Sequence, residues 1–255
     1  MGWLLFLGML MGTTGCAVYM PLQGAAPDLH DQHQAEVRAS TYLSRWDASA
    51  AYSPVRHVLV RGAFGRRSDS TDSTYWRGRQ YELAAGTYGS LGDKWLVGGL
   101  GGYGRGRSEA RFRNDGQLIF LGQPVQHQFN ARFHKVFGEA YVLFAASPKT
   151  SWGLAARYAQ LRFSTLTDVG TPVALRRMNR VEPTLLFRVR LGGSPEAPPP
   201  FQLQWAAGYS VSPGYDERTP DPDASRRQLR RGRGYVTMGV GILPHHLVKA
   251  AKGQR

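Results

Sequence analysis

The sequence predicts an all-β chain: an antiparallel up-and-down transmembrane β-barrel of about ten strands around a small lumen filled by side chains. Three observations predict it. Apolar and polar residues alternate with period two over most of the chain, which marks strands with one apolar face. Glycine, 31 of 255 residues, is abundant opposite the large apolar residues, as at Gly98, Gly208, Gly239 and Gly241. Such a face makes a poor packed core and a suitable lumen. Aromatic residues gather near strand ends (Trp46, Trp76, Trp95 and Trp152, with Tyr52, Tyr75, Tyr88 and Tyr103), where membrane barrels carry interfacial girdles.

Composition narrows the alternatives. No apolar stretch of about 20 residues follows the N-terminus, which excludes a bundle of membrane helices. A single cysteine excludes an internal disulfide framework and a zinc site built on several thiolates. Neither a metal nor a cofactor is expected.

In chain order, residues 3–11 (Trp-Leu-Leu-Phe-Leu-Gly-Met-Leu-Met) form a short apolar run before Gly12, Thr13, Thr14, Gly15 and Cys16. A run of that length is a secretory signal and too short for a membrane span. The placement of Cys16 resembles a bacterial lipobox, whose cysteine is diacylated and becomes the new N-terminus. Residues 1–15 therefore read as a lipoprotein signal peptide and Cys16 as the lipidated residue. Residues 16–33, polar with Pro21 and Pro27, read as a lipidated tether.

The barrel is assigned to residues 34–242. Its clearest strands are 181–191, 201–211 and 235–242. In the first, Val181, Leu185, Phe187, Val189 and Leu191 oppose Glu182, Thr184, Arg188 and Arg190. In the second, Phe201, Leu203, Trp205, Tyr209 and Val211 oppose Gln202, Gln204 and Ser210. In the third, Val236, Met238, Val240 and Ile242 oppose Tyr235, Thr237, Gly239 and Gly241. Weaker alternation marks 34–43, 46–52, 57–64, 76–88, 94–106, 130–146 and 151–163. Short connections (53–56, 89–93, 147–150, 192–200) alternate with longer ones (65–75, 107–129, 164–180, 212–231). A membrane barrel starting from a periplasmic tether sorts its loops this way. Residues 243–255 read as a basic periplasmic tail, and the only helix pattern lies near His245–Lys252.

The order Cys16-x-x-Tyr19-x-Pro21, then Gln34-Ala-Glu-Val-Arg-Ala and Ala51-Tyr-Ser-Pro-Val-Arg-His57, resembles uncharacterised outer-membrane β-barrel lipoproteins of Gram-negative bacteria. The segments Tyr81-Glu82-x-x-x-Gly86-x-Tyr88 and Gly101-Gly-Tyr-Gly-Arg-Gly106 fit the same pattern. The resemblance covers residues 16 to about 106. It implies an outer-membrane location and supplies no reaction.

Chemistry is sparse. Gly99-Leu-Gly-Gly-Tyr-Gly104 matches the dinucleotide fingerprint in form, but no helix follows to receive a pyrophosphate. His30-x-x-His33 and His245-His246 lack nearby thiols and read as polar residues of the chain ends. His127 and His134 share a loop region with Ser108 and Asp115, the one place for a lipid-acting enzyme; the expectation is a non-catalytic protein. Glu36, Glu82, Glu139 and Glu182 against Arg38, Arg61, Arg188 and Arg190 fit a salt-bridged plug in a narrow barrel, with a narrow ion path as the rival reading.

The net charge of +14 sits largely in the longer connections and strand ends. These carry Arg66, Arg67, Arg77, Arg79, Arg105, Arg107, Arg111, Arg113, Arg176, Arg177, Arg180 and the run Arg226, Arg227, Arg230, Arg231 and Arg233. No stacking platform accompanies them, so nucleic acid is not expected. Guanidinium groups bind phosphate bidentately, and the expected partner is lipopolysaccharide, held through its phosphates by the run 226–233. The function expected is a lipid-anchored outer-membrane barrel, structural or surface-interacting. The alternative is an anchored water-soluble periplasmic barrel that binds a small apolar or anionic ligand inside.

Overall fold

The computed structural model describes residues 18–22, 26–42, 44–114, 125–193, 198–215 and 223–247. Ten long strands form one antiparallel ring. They are β1 (Ala35–Tyr42), β2 (Arg45–Tyr52), β3 (Val58–Ser70), β4 (Tyr75–Leu91), β5 (Trp95–Asn114), β6 (Val125–Ala145), β7 (Thr150–Asp168), β9 (Arg177–Leu191), β10 (Phe201–Ser210) and β11 (Arg233–Ile242). A two-residue strand, β8 (Thr171–Pro172), adds to the tip of β7. Pairing of β1 with β11, with Val37 opposite Ile242, closes the ring.

Alternation is realised with the apolar face outward. Leu83, Leu154, Met238 and Val240 are more than half exposed, whereas their neighbours Glu82 and Thr237 are buried. A water-soluble barrel turns its apolar residues inward, so the ligand-binding soluble barrel is not the fold found. Two aromatic belts bound the apolar band. The lower, at the rim where β1 begins and β11 ends, holds Tyr52, Phe201 and the ring contacts Trp95–Phe144 (4.7 Å) and Trp152–Phe187 (4.4 Å). The upper holds the Trp46–Phe64 contact (5.4 Å), Tyr81, Tyr103 and Tyr209. Trp95 and Tyr103 bound a nine-residue stretch of β5, the length with which a tilted strand crosses the hydrocarbon layer.

Strand lengths depart from the expectation at the upper rim. The connections expected at 65–75 and 107–129 are mostly strand: β3 and β4 are joined at 71–74, and β5 runs on to Asn114. Above Tyr103 the pattern on β5 inverts. Arg105, Arg107 and Arg111 point outward while Ala110 and Phe112 turn inward and are buried. Here the wall has left the apolar layer and packs as a soluble barrel does. A helix the sequence reading lacked, α1 (Ala224–Arg230), lies between β10 and β11 and is capped by Asp223, whose carboxylate accepts from Arg226 N at 3.1 Å.

Residues 18–33 depart most from expectation. They do not hang free as a tether: the described part runs inside the ring, antiparallel to β1. Val18 packs with Ala110, Phe112, Phe129 and Leu229 at the upper rim. Leu22, Ala26, Asp28 and Leu29 are buried further down, and the chain turns at 31–33 into β1. Gly65 makes room for this passage. A Cβ there would lie 2.3 Å from both Leu22 and Asp47. Glycines also seat the interior aromatics, since Gly98 faces Tyr141 across the ladder and a Cβ would meet its ring at 2.3 Å. Residues 1–17, and the tail beyond Leu247, lie outside the described residues; Pro244 opens a helical turn.

Candidate functional site

Two constellations carry the chemistry: a charged layer in the lumen and an arginine-rich outer wall at the upper rim.

The lumen layer is built by alternation, since every second residue of β3, β4, β6, β7 and β9 must face inward. Glu139 accepts from Arg61 (2.9 Å) and Arg157 (2.6 Å). Glu82 lies 2.5 Å from Lys135, 3.2 Å from Arg157 and 3.8 Å from Arg61. Glu182 accepts from Ser210 Oγ at 3.3 Å. All these charged groups are buried, and mutual pairing is what makes their burial tolerable. Near the lower rim, Arg38 pairs with Glu36, Gln202 donates to Glu36 at 2.8 Å, and Arg188 Nε donates to Gln204 at 2.8 Å.

The threaded segment completes these pairs. Arg190 reaches Asp28 at 2.6 Å, Asp28 N donates to Glu36 at 2.6 Å, and Arg188 donates to Ala26 O. Higher up, Arg45 donates to Pro21 O and pairs with Asp47 at 2.7 Å, while Gln80 donates to Met20 O at 2.5 Å. Tyr19 lies over Lys135 (4.8 Å) and edge-on to Phe133 (5.8 Å). All eight residues expected in the plug are near or in this interior. Lys135 and Arg157 were missed, although both alternate with outward Val136, Leu154 and Tyr158 and were open to the same reasoning. Asp28 was missed because its stretch read as a tether. The lumen is also not uniformly polar: Leu59, Leu96, Tyr141, Leu143 and Leu186 form an apolar layer toward the lower rim. A void beside Leu22 measures about 10 Å³, which is the scale of one water.

On the outer wall the ladder aligns arginines. Arg66 is opposite Arg79, Arg79 opposite Arg107, and Arg107 opposite Arg132. One step lower, Tyr81, Arg105, His134, Arg162 and Arg177 are likewise cross-strand neighbours. The run expected to face lipid is placed differently. Arg226, Arg227, Arg230, Arg231 and Arg233 belong to α1 and its exit, which cap the upper mouth through buried Leu229. Arg226 pairs with Asp223 at 3.2 Å, and the carbonyls of Arg230 and Arg231 accept from Arg180. Arg180, expected on the surface, is fully buried.

The histidines separate. His127 points inward and His134 outward, so they share no site. His127 Nδ1 donates to Asp168 at 2.5 Å, and Asp168 also accepts from Gln128 N (2.8 Å) and Ser225 Oγ (2.8 Å). The serine bonds the carboxylate and not the imidazole, so the order differs from a catalytic triad. The trio ties β6, β7 and α1 together. Ser108 faces inward on β5; Asp115 and Cys16 lie outside the described residues. His30 contacts Asp28 at 3.0 Å, and His245 and His246 meet edge-on with ring centres 4.3 Å apart on the lower rim. No cluster of three potential metal ligands occurs among the described residues.

No family model and no curated protein matches the chain. Among solved structures, the translocator domain of autotransporter NalP from Neisseria meningitidis is 12% identical, covering 82% of this chain and 86% of that one, with a TM-score of 0.43. OmpT, an outer membrane protein of Vibrio cholerae, is 9% identical, covering 82% and 95%, with a TM-score of 0.25. The NanC porin is 7% identical, covering 82% and 98%, with a TM-score of 0.27. At these values the likeness carries no argument about this chain. By its own geometry the chain is a closed ten-stranded antiparallel β-barrel with an outward apolar band, the build of a transmembrane barrel.

Proposed function

We propose that this protein is a plugged, non-catalytic barrel of a Gram-negative outer membrane, structural or surface-interacting, with an arginine-rich external rim that binds lipopolysaccharide phosphates. The observation that carries this reading is the abrupt change of the outward wall from aromatic to arginine above Tyr81 and Tyr103. Rings of this kind sit at the lipid headgroups, so the guanidinium groups just beyond them stand at phosphate depth. The lower rim, with both ends of the strand sequence and the tight turns 92–94 and 146–149, faces the periplasm on this reading. Its connections carry only scattered cations such as Arg56, Lys94 and Lys149.

Cys16 is retained as the lipidated residue. The occupied lumen favours a scaffold over a channel. Purified from outer membranes, the protein should carry lipopolysaccharide that high salt strips off. A protein free of lipopolysaccharide at low salt refutes the proposal.

A further inference from the structure

The outward wall holds a more specific feature than a basic rim. Arg66, Arg79, Arg107 and Arg132 occupy directly opposed positions on β3, β4, β5 and β6, so they stand in one row across four strands. With strands about 4.8 Å apart, the row spans about 14 Å. All four are exposed. Only Arg107 has a carboxylate partner among the described residues, Glu109 at 2.6 Å. Like charges directly opposite each other destabilise a sheet. Four in succession, on rigid strands rather than in loops, repel one another, and an anion bound along the row relieves that repulsion.

The setting names the anion. Beneath the row opens a groove of about 660 Å³, lined by Arg79, Arg107 and Arg132 above and by Tyr81, Tyr103 and Phe64 below. Tyr103 and Arg107 are separated by one intervening outward residue, Arg105, whose Nε donates to the Tyr103 hydroxyl at 2.9 Å. The arginines thus begin about 7 Å along the strand from an aromatic ring at the membrane interface, and the row itself stands about 13 Å from it. A soluble anion has no reason to be met at that depth on the outward wall. A membrane glycolipid does: its phosphates meet the row, and its sugar lies in the groove beside Tyr81 and Tyr103, where Arg105 lies over the Tyr103 ring (5.7 Å) and His134 stacks with it (6.4 Å).

Resting on the lipopolysaccharide reading above, we propose that Arg66, Arg79, Arg107 and Arg132 form a phosphate ladder for a headgroup bearing two phosphate groups, with Tyr81 and Tyr103 as the platform for its sugar. Guanidinium groups contact both phosphates directly, each engaging two oxygens. No bridging divalent cation is involved. The helix run Arg226–Arg233 is not part of this site.

The test uses the full chain folded in nanodiscs that contain bisphosphorylated, monophosphorylated or dephosphorylated lipid A, with co-retained glycolipid measured after detergent washing. Three proteins are compared: the native chain, the R79Q/R107Q/R132Q variant and the R226Q/R227Q/R230Q/R231Q/R233Q variant. Heat-modifiable migration establishes that each is folded. The native chain should retain bisphosphorylated lipid A preferentially, and EDTA should leave that retention unchanged. The ladder variant should lose at least about tenfold, and the helix variant should match the native chain. A second ladder variant, R79K/R107K/R132K, keeps the charge and should still lose the preference for two phosphates over one. Equal retention by the ladder variant, or an equal loss in both glutamine variants, overturns the ladder while leaving a basic rim standing. Absence of retention by the native chain overturns the lipopolysaccharide reading itself.

Discussion

Glu139 lies between Arg61 and Arg157, and all three are buried. Its removal leaves two guanidinium groups facing each other in an interior whose adjoining void is the size of about one water. Glu139→Gln should therefore cost about 3–5 kcal/mol, read as a fall in the denaturant midpoint of the heat-modifiable folded band. A loss under about 1 kcal/mol contradicts a cohesive role for the network. Much at this scale was legible beforehand. Arginines and glutamates that alternate with large aliphatics cannot face lipid, which was enough to put Glu36, Glu82, Glu139, Glu182, Arg38, Arg61 and Arg188 inside. What alternation cannot reveal is partnership across the ring. It puts Arg190 on the inward face of β9 without giving it Asp28, which comes from a segment with no periodicity at all.

Among the elements, α1 is held by the least redundant contacts. Asp168 receives His127, Gln128 N and Ser225, and Leu229 supplies the apolar anchor. Asp168→Ala removes all three polar links and leaves His127 and Ser225 without their acceptor. Trypsin should then cut within Arg226–Arg231 several-fold faster, while the strands stay protected. An unchanged cleavage rate shows that Leu229 and the Arg180 bonds to the carbonyls of Arg230 and Arg231 hold the lid without Asp168. The sequence marked the strand starts at the lower rim closely: 94–106 against β5 from Trp95, and 151–163 against β7 from Thr150. It failed at the upper rim for a physical reason. Past the headgroups the solvent on the outside becomes water, so the phase of the alternation reverses between Tyr103 and Phe112. A reading that seeks one apolar face per strand sees that reversal as a loop. The helix α1 was hidden for another reason, since seven residues with one buried leucine show no helical stripe.

For the molecule as a whole, the occupied lumen decides transport. In planar bilayers the native protein should show no unitary conductance. Gly65→Leu puts a large side chain where Leu22 passes and should displace the segment, so channel openings should appear in that variant while the barrel stays folded. Steady conductance by the native chain revives the ion-path reading. The same threading also sets the order of events in assembly. The described residues 18–22 and 26–33 lie within a ring sealed where β1 meets β11, and that seam joins the first strand to the last. It is the closure of longest range, hence the slowest to form. Until then the sheet is an open trough, and Arg45 of β2 with Arg188 and Arg190 of β9 can gather around Pro21, Ala26 and Asp28. The segment thus acts as a mould for the curling sheet. A ring that shuts early has the right strands and the right register around a missing centre, and no small motion can correct it. History, and not only free energy, separates the native barrel from its hollow twin.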